Sequence, residues 1–184
     1  MLMPHRRGFT LAEVLIALAI AATLAAVLFP AMAAQLRRGQ SAATASALSN
    51  LRDAMVAYRG NVLDYPRTLS QLTNALVVGA TDACGNVVSA AQRAAWRGPY
   101  LTQNISGNAP VGDGTALDTL IRNPATDAAV AAGTLILRVI NVDSTVARDV
   151  DGQFDGTFNF ASGTILWNST GFDTLKFNIL IRGC

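Results

Sequence analysis

The feature that most constrains the fold of this chain is an uncharged, apolar stretch close to its N-terminus. No charged side chain occurs from Val14 to Ala34, and Glu13 lies immediately before this stretch. As an α-helix the stretch would be about 31 Å long, which matches the hydrocarbon core of a bilayer. Because a carboxylate at membrane depth costs on the order of 3 kcal/mol, Glu13 is expected to have a specific partner or role.

The residues before this stretch form a specific pattern. A short leader containing Arg6 and Arg7 ends at Gly8, and residues 8–13 read Gly-Phe-Thr-Leu-Ala-Glu. This pattern, placed between a basic leader and an apolar run, resembles the N-terminus of type IV prepilins and type II secretion pseudopilins. The resemblance implies that a prepilin peptidase cleaves after Gly8 and that the new amino group of Phe9 is N-methylated.

The same resemblance implies a domain organisation and a fold class. Residues 1–8 would be a leader peptide, residues 9–36 a transmembrane and filament-core helix, and residues 37–184 a globular head continuous with that helix. The pilin fold is α+β: a long N-terminal helix, half transmembrane and half amphipathic, packs on a small antiparallel β-sheet. Before assembly the chain would be a single-pass inner-membrane protein with a periplasmic head.

The resemblance also implies a structural function and its partners. The chain would be a subunit of a type IV pilus or of a type II secretion pseudopilus. Its partners would be copies of itself or other pilins, the prepilin peptidase, and an inner-membrane assembly platform with a separate ATPase.

Glu13 is the residue expected to direct assembly. After cleavage, Phe9 would carry an ammonium group about one helical turn from Glu13. Pairing with the Phe9 ammonium of a neighbouring subunit would remove the cost of an isolated carboxylate in the filament core. Glu13 is therefore predicted to set the register of each added subunit. In the alternative interpretation, its carboxylate only reaches out to the membrane interface.

Two other interpretations of the N-terminal segment compete with the prepilin pattern. Residues 31–33 read Ala-Met-Ala, so a signal peptidase could cleave before Ala34 and release a secreted binding module. The segment could also be a plain anchor that is never cleaved. Neither alternative gives Glu13 a purpose.

The N-terminal helix is expected to continue to about Gly60. Pro30 removes a helix hydrogen bond and is predicted to kink or locally unwind it. Beyond Gly39, apolar side chains recur every three or four residues and predict one buried stripe. These side chains are Leu48, Leu51, Met55 and Tyr58.

The remainder of the chain predicts short helices and then strands. Residues 69–78 and 90–96 favour helix, while residues 134–142, 157–167 and 172–181 are β-rich and predict three antiparallel strands. The Asp-Gly pairs at 151–152 and 155–156 predict turns. Residues 96–101 read Trp-Arg-Gly-Pro-Tyr-Leu and resemble a Trp-x-Gly-Pro-Tyr segment of pseudopilins, although the Asp-Pro-Trp-Gly-type stretch that usually follows is absent. Trp96 and Tyr100 are expected to pack in the core.

The charged and polar residues do not predict catalysis. The one histidine, His5, lies in the leader, and no phosphate-binding loop, dinucleotide-binding pattern or paired-cysteine metal motif is present. Without residues 1–8 the chain has equal numbers of basic and acidic side chains, which gives no argument for nucleic acid binding. A minor pilin that binds DNA or surfaces at a filament tip would depend on Arg93, Arg97 and Arg122, which do not cluster in the sequence.

The two cysteines, Cys84 and Cys184, predict a disulfide if the head lies outside the inner membrane. On the chain-entropy model, closing a loop of about 100 residues stabilises a fold by up to about 4–5 kcal/mol. The alternative is two buried thiols, or one thiol that remains unpaired at the end of the chain.

A group of carboxylates suggests one metal hypothesis. Asp143, Asp149, Asp151 and Asp155 surround two Asp-Gly pairs, and oxygen ligands at short spacing suit Ca²⁺. The segment is not an EF-hand, because Phe154 occupies the position of the central glycine and no glutamate closes the loop. Some pilins and pseudopilins bind Ca²⁺ in a loop near the sheet, so the resemblance favours the site. The alternative is a pair of turns with solvated carboxylates.

Overall fold

The computed structural model describes residues 10–102, 109–111, 115–118, 120–121, 133–159, 161–168 and 174–180. The chain divides into two units, Met1–Arg38 and Gly39–Cys184. The first helix, α1 (Leu11–Val62), contributes residues to both units. Its C-terminal end lies within two residues of the predicted one, while the predicted start at Phe9 lies outside the described residues.

The part of α1 in the first unit is apolar on every side. All its large apolar side chains, from Leu11 to Leu36, are between 48% and 79% exposed. Within the described residues, α1 is the one helix that is long and apolar enough to cross a membrane. A helix that is hydrophobic all round requires lipid or other protein chains around it. The helix continues without interruption through Pro30, so the predicted local unwinding is not found here, and the predicted kink stays a prediction.

In the second unit, α1 buries one face. The predicted stripe of Leu48, Leu51, Met55 and Tyr58 is confirmed, and Tyr58 and Met55 are fully buried. These side chains belong to the same hydrophobic core as the inward side chains of the sheet, such as Leu137. The α+β architecture, with the helix packed on a small antiparallel sheet, is thereby confirmed.

The sheet has five described strands in the order β1-β2-β3-β5-β4, and all neighbours are antiparallel. They are β1 (Ala109–Val111), β2 (Thr115–Leu117), β3 (Thr134–Ile140), β4 (Ile165–Asn168) and β5 (Thr174–Leu180). The strands expected at 134–142 and 172–181 correspond to β3 and β5, whereas only residues 165–167 of the strand expected at 157–167 lie in β4. The rest of that prediction is wrong for the described residues. Strands β1 and β2 were not predicted, because three-residue segments carry too little alternation to be recognised.

Three short helices complete the described fold: α2 (Ser70–Thr73), α3 (Ala90–Ala95) and α4 (Ser144–Asp155). The predictions for α2 and α3 are confirmed, although α2 is shorter than expected. Ser89 and Gln92 close the start of α3 with a reciprocal capping box.

The predicted turn at Asp151-Gly152 is wrong, because both residues lie inside α4. Asp143 caps the start of this helix, and Val146, Ala147 and Val150 bury one of its faces. This apolar face holds Gly152 in a helical conformation that glycine disfavours by roughly 1 kcal/mol relative to alanine. The second Asp-Gly pair marks the helix end instead of a hairpin, since Gly156 is the left-handed C-cap.

The end of α1 provides a first test of the fold. Leu63 adopts a left-handed conformation with φ of 65°, and its N–H donates to the Arg59 carbonyl at 2.9 Å. Its side chain is 79% exposed, so little packing would be lost on truncation. Leu63→Gly is therefore expected to raise the free energy of unfolding by about 1 kcal/mol, because glycine adopts this conformation without steric strain.

Chemical denaturation of the full chain in detergent measures this change. Leu63→Ala is the matched control: it removes the exposed apolar atoms but keeps the Cβ atom that causes the strain. An equal increase in the free energy of unfolding in both variants, or no increase in Leu63→Gly, would contradict the assignment of strain to Leu63.

Candidate functional site

The start of α1 is held by reciprocal hydrogen bonds between Thr10 and Glu13. The Thr10 N–H donates to Glu13 Oε2 at 2.9 Å, and the Thr10 hydroxyl contacts the same oxygen at 3.0 Å. In the other direction, the Glu13 N–H donates to Thr10 Oγ1 at 3.3 Å. This arrangement is a capping box, in which two backbone N–H groups without helical partners are satisfied by side chains.

The capping box leaves half of the Glu13 carboxylate available. Oε1 accepts no hydrogen bond from any described residue, and the side chain is exposed. The carboxylate can therefore keep its contact with Thr10 and still accept a second, charged donor. Sequence reasoning missed Thr10, although Thr-x-x-Glu before an apolar run is the signature of a capping box.

The surface next to Glu13 is a shallow groove along one face of α1. It is lined by Glu13, Val14, Ala17, Leu18 and Ala21. Ala17 and Ala21 are one turn apart, and small residues at this spacing let the backbone of another helix approach closely. The arrangement combines an acceptor for a cation with a surface suited to helix packing.

Comparison with known families decides the interpretation of this segment. Residues 3–29 match the model of the family described as the prokaryotic N-terminal methylation motif. The chain therefore carries the N-terminal methylation motif, which is the hallmark of type IV pilin-like proteins. The motif includes Gly8, Phe9 and Glu13, and it confirms the resemblance on which the sequence analysis depended. Among the curated proteins and the solved structures, no match to the chain was found.

Some of the residues predicted for cleavage, methylation and the disulfide lie outside the part of the chain that the structure describes. Gly8 and Phe9, the residues on either side of the predicted cleavage site, are not among the described residues, so cleavage and methylation stay predictions. Cys84 is half-buried in a loop, and Cys184 lies outside the described residues. The disulfide between them therefore also stays a prediction.

Two of the arginines considered for DNA binding, Arg93 and Arg97, donate hydrogen bonds to backbone carbonyls. Arg93 donates to the Val88 carbonyl at 2.6 Å, and Arg97 donates to the Ala94 carbonyl at 2.8 Å. Both guanidinium groups are thus engaged with the backbone around α3, and Arg122 lies outside the described residues. The geometry gives this alternative no support.

The four carboxylates of the calcium hypothesis are not brought together. Asp143 caps α4 and accepts the Thr145 N–H at 2.8 Å, while Asp149 is exposed. Among the described residues, no three His, Cys, Asp or Glu side chains are arranged to hold a metal ion. The loop that the hypothesis required is a helix, and only Asp151 and Asp155, one turn apart, are in contact.

Asp151 and Asp155 instead connect the end of α4 to β4. Asp151 is fully buried, and its Oδ2 accepts the Asn159 N–H at 2.8 Å. Asp155 Oδ2 accepts the N–H groups of Thr164 at 2.8 Å and Ile165 at 3.0 Å. This approach requires Gly163, because a Cβ atom at that position would lie 2.5 Å from Asp155 Oδ2.

The two carboxyl groups have opposite titration behaviour. Burial is the main cause that raises the pKa of Asp151, and the adjacent Asp155 raises it further. Partial burial acts to raise the pKa of Asp155, but the N–H groups of Ile165 and Thr164 outweigh it and hold that pKa below its usual value. Asp151 Oδ1 is buried without a donor in the ionised state, so a proton on Asp151 can bond to Asp155.

Asp151→Asn is expected to raise the free energy of unfolding at about pH 7 by roughly 1–2 kcal/mol. The amide can donate to Asp155 as the protonated acid does, and its oxygen can still accept the Asn159 N–H. Because the pKa of Asp151 is raised in the folded chain, protonated Asp151 contributes to the stability of the wild type below the usual carboxyl pKa. This contribution is lost as pH rises through the raised pKa. The gain is therefore expected to shrink towards about pH 4.

Denaturation curves at several pH values measure this difference between wild type and variant. Asp149→Asn, which neutralises an exposed carboxylate on the same helix, is the control and should leave the curves unchanged. A variant that is less stable than wild type at neutral pH would show that Asp151 is required in its ionised form.

Proposed function

We propose that this chain is a structural subunit of a type IV pilus or of a type II secretion pseudopilus. A prepilin peptidase cleaves it after Gly8, Phe9 is N-methylated, and the mature chain is polymerised through α1. The match of residues 3–29 to the methylation motif is the observation that carries this proposal. A helix whose apolar side chains are exposed all round supports it, since such a surface is stable in lipid or in a helical bundle.

Glu13 directs the addition of subunits in this proposal. Its Oε2 remains in the capping box with Thr10, while Oε1 accepts the Phe9 ammonium of a neighbouring subunit. The pair forms where water is excluded, so a subunit that is added at the wrong axial level leaves an unpaired charge. Breaking a buried ion pair costs roughly 3–5 kcal/mol, which is large enough to select one register.

The proposal also assigns a location and partners. The precursor crosses the inner membrane once through α1, with the second unit in the periplasm, and then becomes part of a filament. Its partners are copies of itself or other pilins, the prepilin peptidase, and an assembly platform with an ATPase. Its role is structural, and catalysis belongs to these separate proteins.

Expression of the full chain with and without a prepilin peptidase tests the processing step. We expect loss of residues 1–8 only when the peptidase is present. Gly8→Leu should remain full length, because a bulky side chain then lies next to the scissile bond. Gly39→Ala is the control and should be cleaved like wild type. Removal of the first 33 residues, or cleavage that does not need the peptidase, would contradict the proposal.

A further inference from the structure

A polar pocket lies in the second unit, next to the short helix α2. Residues of three consecutive segments line it: Arg67 and Thr68 before α2, Ser70 and Gln71 within α2, and several residues between positions 74 and 81 after it. Arg67 is the one charged residue among the described lining residues, so the pocket contains a cation and no carboxylate. This charge favours an anionic ligand.

Gln71 joins the walls of the pocket to each other. Its Oε1 accepts the Arg67 N–H at 2.6 Å and the Thr68 N–H at 3.2 Å, and its Nε2 donates to the Thr81 carbonyl at 2.9 Å. The Gln71 carbonyl in turn accepts the indole N–H of Trp96 at 3.0 Å. Because these bonds fix the walls before a ligand arrives, binding requires little additional ordering of the chain.

The guanidinium group of Arg67 is available to a ligand. The residue is half-buried, and its guanidinium group makes no hydrogen bond or ion pair with any described residue. Its Nη1 lies 3.9 Å from the position that a Cβ atom would take at Gly85. In the same turn, Asp82 uses both carboxylate oxygens to accept from Asn86, at 2.7 Å and 3.1 Å. Arg67 therefore keeps the planar group that binds a carboxylate through two parallel hydrogen bonds.

Hydroxyl and amide groups of the same pocket supply further donors and acceptors. Thr68 Oγ1 and Ser70 Oγ are 2.9 Å apart, so one hydroxyl donates to the other. The accepting hydroxyl keeps its own proton for another partner. Asn74 Nδ2 donates to the Ser70 carbonyl at 3.3 Å, while Asn74 Oδ1 accepts no hydrogen bond from a described residue. These groups match a ligand that carries hydroxyl groups in addition to its negative charge.

The rest of the lining is apolar and selects the body of the ligand. Leu76 and Ala80 are half-buried, and Val77 is exposed. A sugar ring can place its C–H face on such a surface while its hydroxyl groups form hydrogen bonds at the edge. A simple oxyanion would bind Arg67 but would leave both this surface and Asn74 Oδ1 unused. A uronic acid combines a carboxylate, hydroxyl groups and a C–H face in one molecule.

We propose that this pocket binds a uronic-acid unit of an acidic polysaccharide. The Arg67 guanidinium group pairs with the sugar carboxylate, Thr68 and Ser70 form hydrogen bonds with ring hydroxyl groups, and the C–H face lies on Leu76 and Ala80. The site gives the chain a means of attachment to a carbohydrate surface. It does not depend on the proposed assembly of the chain into filaments.

Backbone amide chemical shifts in the full chain, purified in detergent, test the class of ligand. Titration with glucuronic acid should shift the Arg67 and Thr68 N–H signals, with a dissociation constant on the order of 1–10 mM. Glucose lacks the carboxylate and acetate lacks the ring, so each should bind at least about 10-fold more weakly. Equal binding of glucose or of acetate, or no saturable shift with glucuronic acid, would overturn the proposal.

Substitutions then test the assignment of the carboxylate to Arg67. Arg67→Gln removes the charge but keeps the backbone N–H that donates to Gln71, and it should weaken glucuronic acid binding by about 10-fold or more. Arg52→Gln removes an exposed arginine of α1 that does not line the pocket, and this matched control should bind like wild type. Wild-type affinity in Arg67→Gln, or an equal loss in Arg52→Gln, would contradict the proposed site.

Asn74→Ala provides an independent variant if Arg67→Gln does not fold. Asn74 is exposed, so its truncation should leave the fold intact. Loss of its side-chain amide should weaken glucuronic acid binding by about 3-fold or more and leave acetate binding unchanged. An equal effect on both ligands, or no effect on glucuronic acid, would show that the pocket does not bind the hydroxyl groups of a sugar.

Discussion

Glu13→Gln is expected to reduce incorporation of the chain into filaments by on the order of 100-fold or more, while membrane insertion and cleavage continue. Glutamine preserves the size of the side chain and can still accept hydrogen bonds from Thr10. It removes the negative charge that a neighbouring Phe9 ammonium requires, so each added subunit would leave a buried cation unpaired. A cost of roughly 3–5 kcal/mol per contact corresponds to a loss of this size.

Quantification of the chain in sheared filaments, relative to the processed chain in the membrane, measures this effect. Thr23→Val is the matched control. It changes a polar side chain in the same apolar helix, where Thr23 bonds only to the Ile20 carbonyl of its own helix at 2.8 Å. This control should assemble normally. Wild-type incorporation of Glu13→Gln would show that the charge does not direct assembly.

Gly98→Ala is expected to lower the free energy of unfolding by about 2–3 kcal/mol. A Cβ atom at this position would lie 2.3 Å from Trp96 Cζ2, so the indole ring would have to move. That ring is fixed by a hydrogen bond from its N–H to the Gln71 carbonyl at 3.0 Å and by an edge contact with Tyr100 at 5.7 Å. The strain therefore spreads to two core contacts.

Chemical denaturation measures this loss, and Gly60→Ala is its control. No heavy atom lies within 4 Å of a Cβ atom at Gly60, which is part of α1. Alanine is the better helix former, so this control should be neutral or slightly stabilising. Equal stability of wild type and Gly98→Ala would show that Trp96 is not held rigidly against Gly98.

The regular helical parts of the fold were predictable from the sequence because their signals are local. The spacing of Leu48, Leu51 and Met55 identified the buried face of α1. Helix α4 was missed because its two Asp-Gly pairs are strong turn signals, and the buried face around Val146 and Val150 outweighs them. In this case tertiary packing overrode local propensity.

The candidate site was predictable in part. The pattern at residues 8–13 indicated a role for Glu13, and the same six residues also contained the capping box with Thr10. By contrast, the hydrogen bonds from Thr164 and Ile165 to Asp155 have no signature in the sequence. They join the end of α4 to the start of β4, and no periodic pattern relates these two segments.

The intact mass and N-terminal sequence of the protein from its native membrane test the central claim most directly. We predict a mature chain that begins at Phe9 and carries one methyl group on its amino terminus. A chain that begins at Ala34 would be a secreted protein without α1 as an anchor, and it would contradict the assignment as a filament subunit.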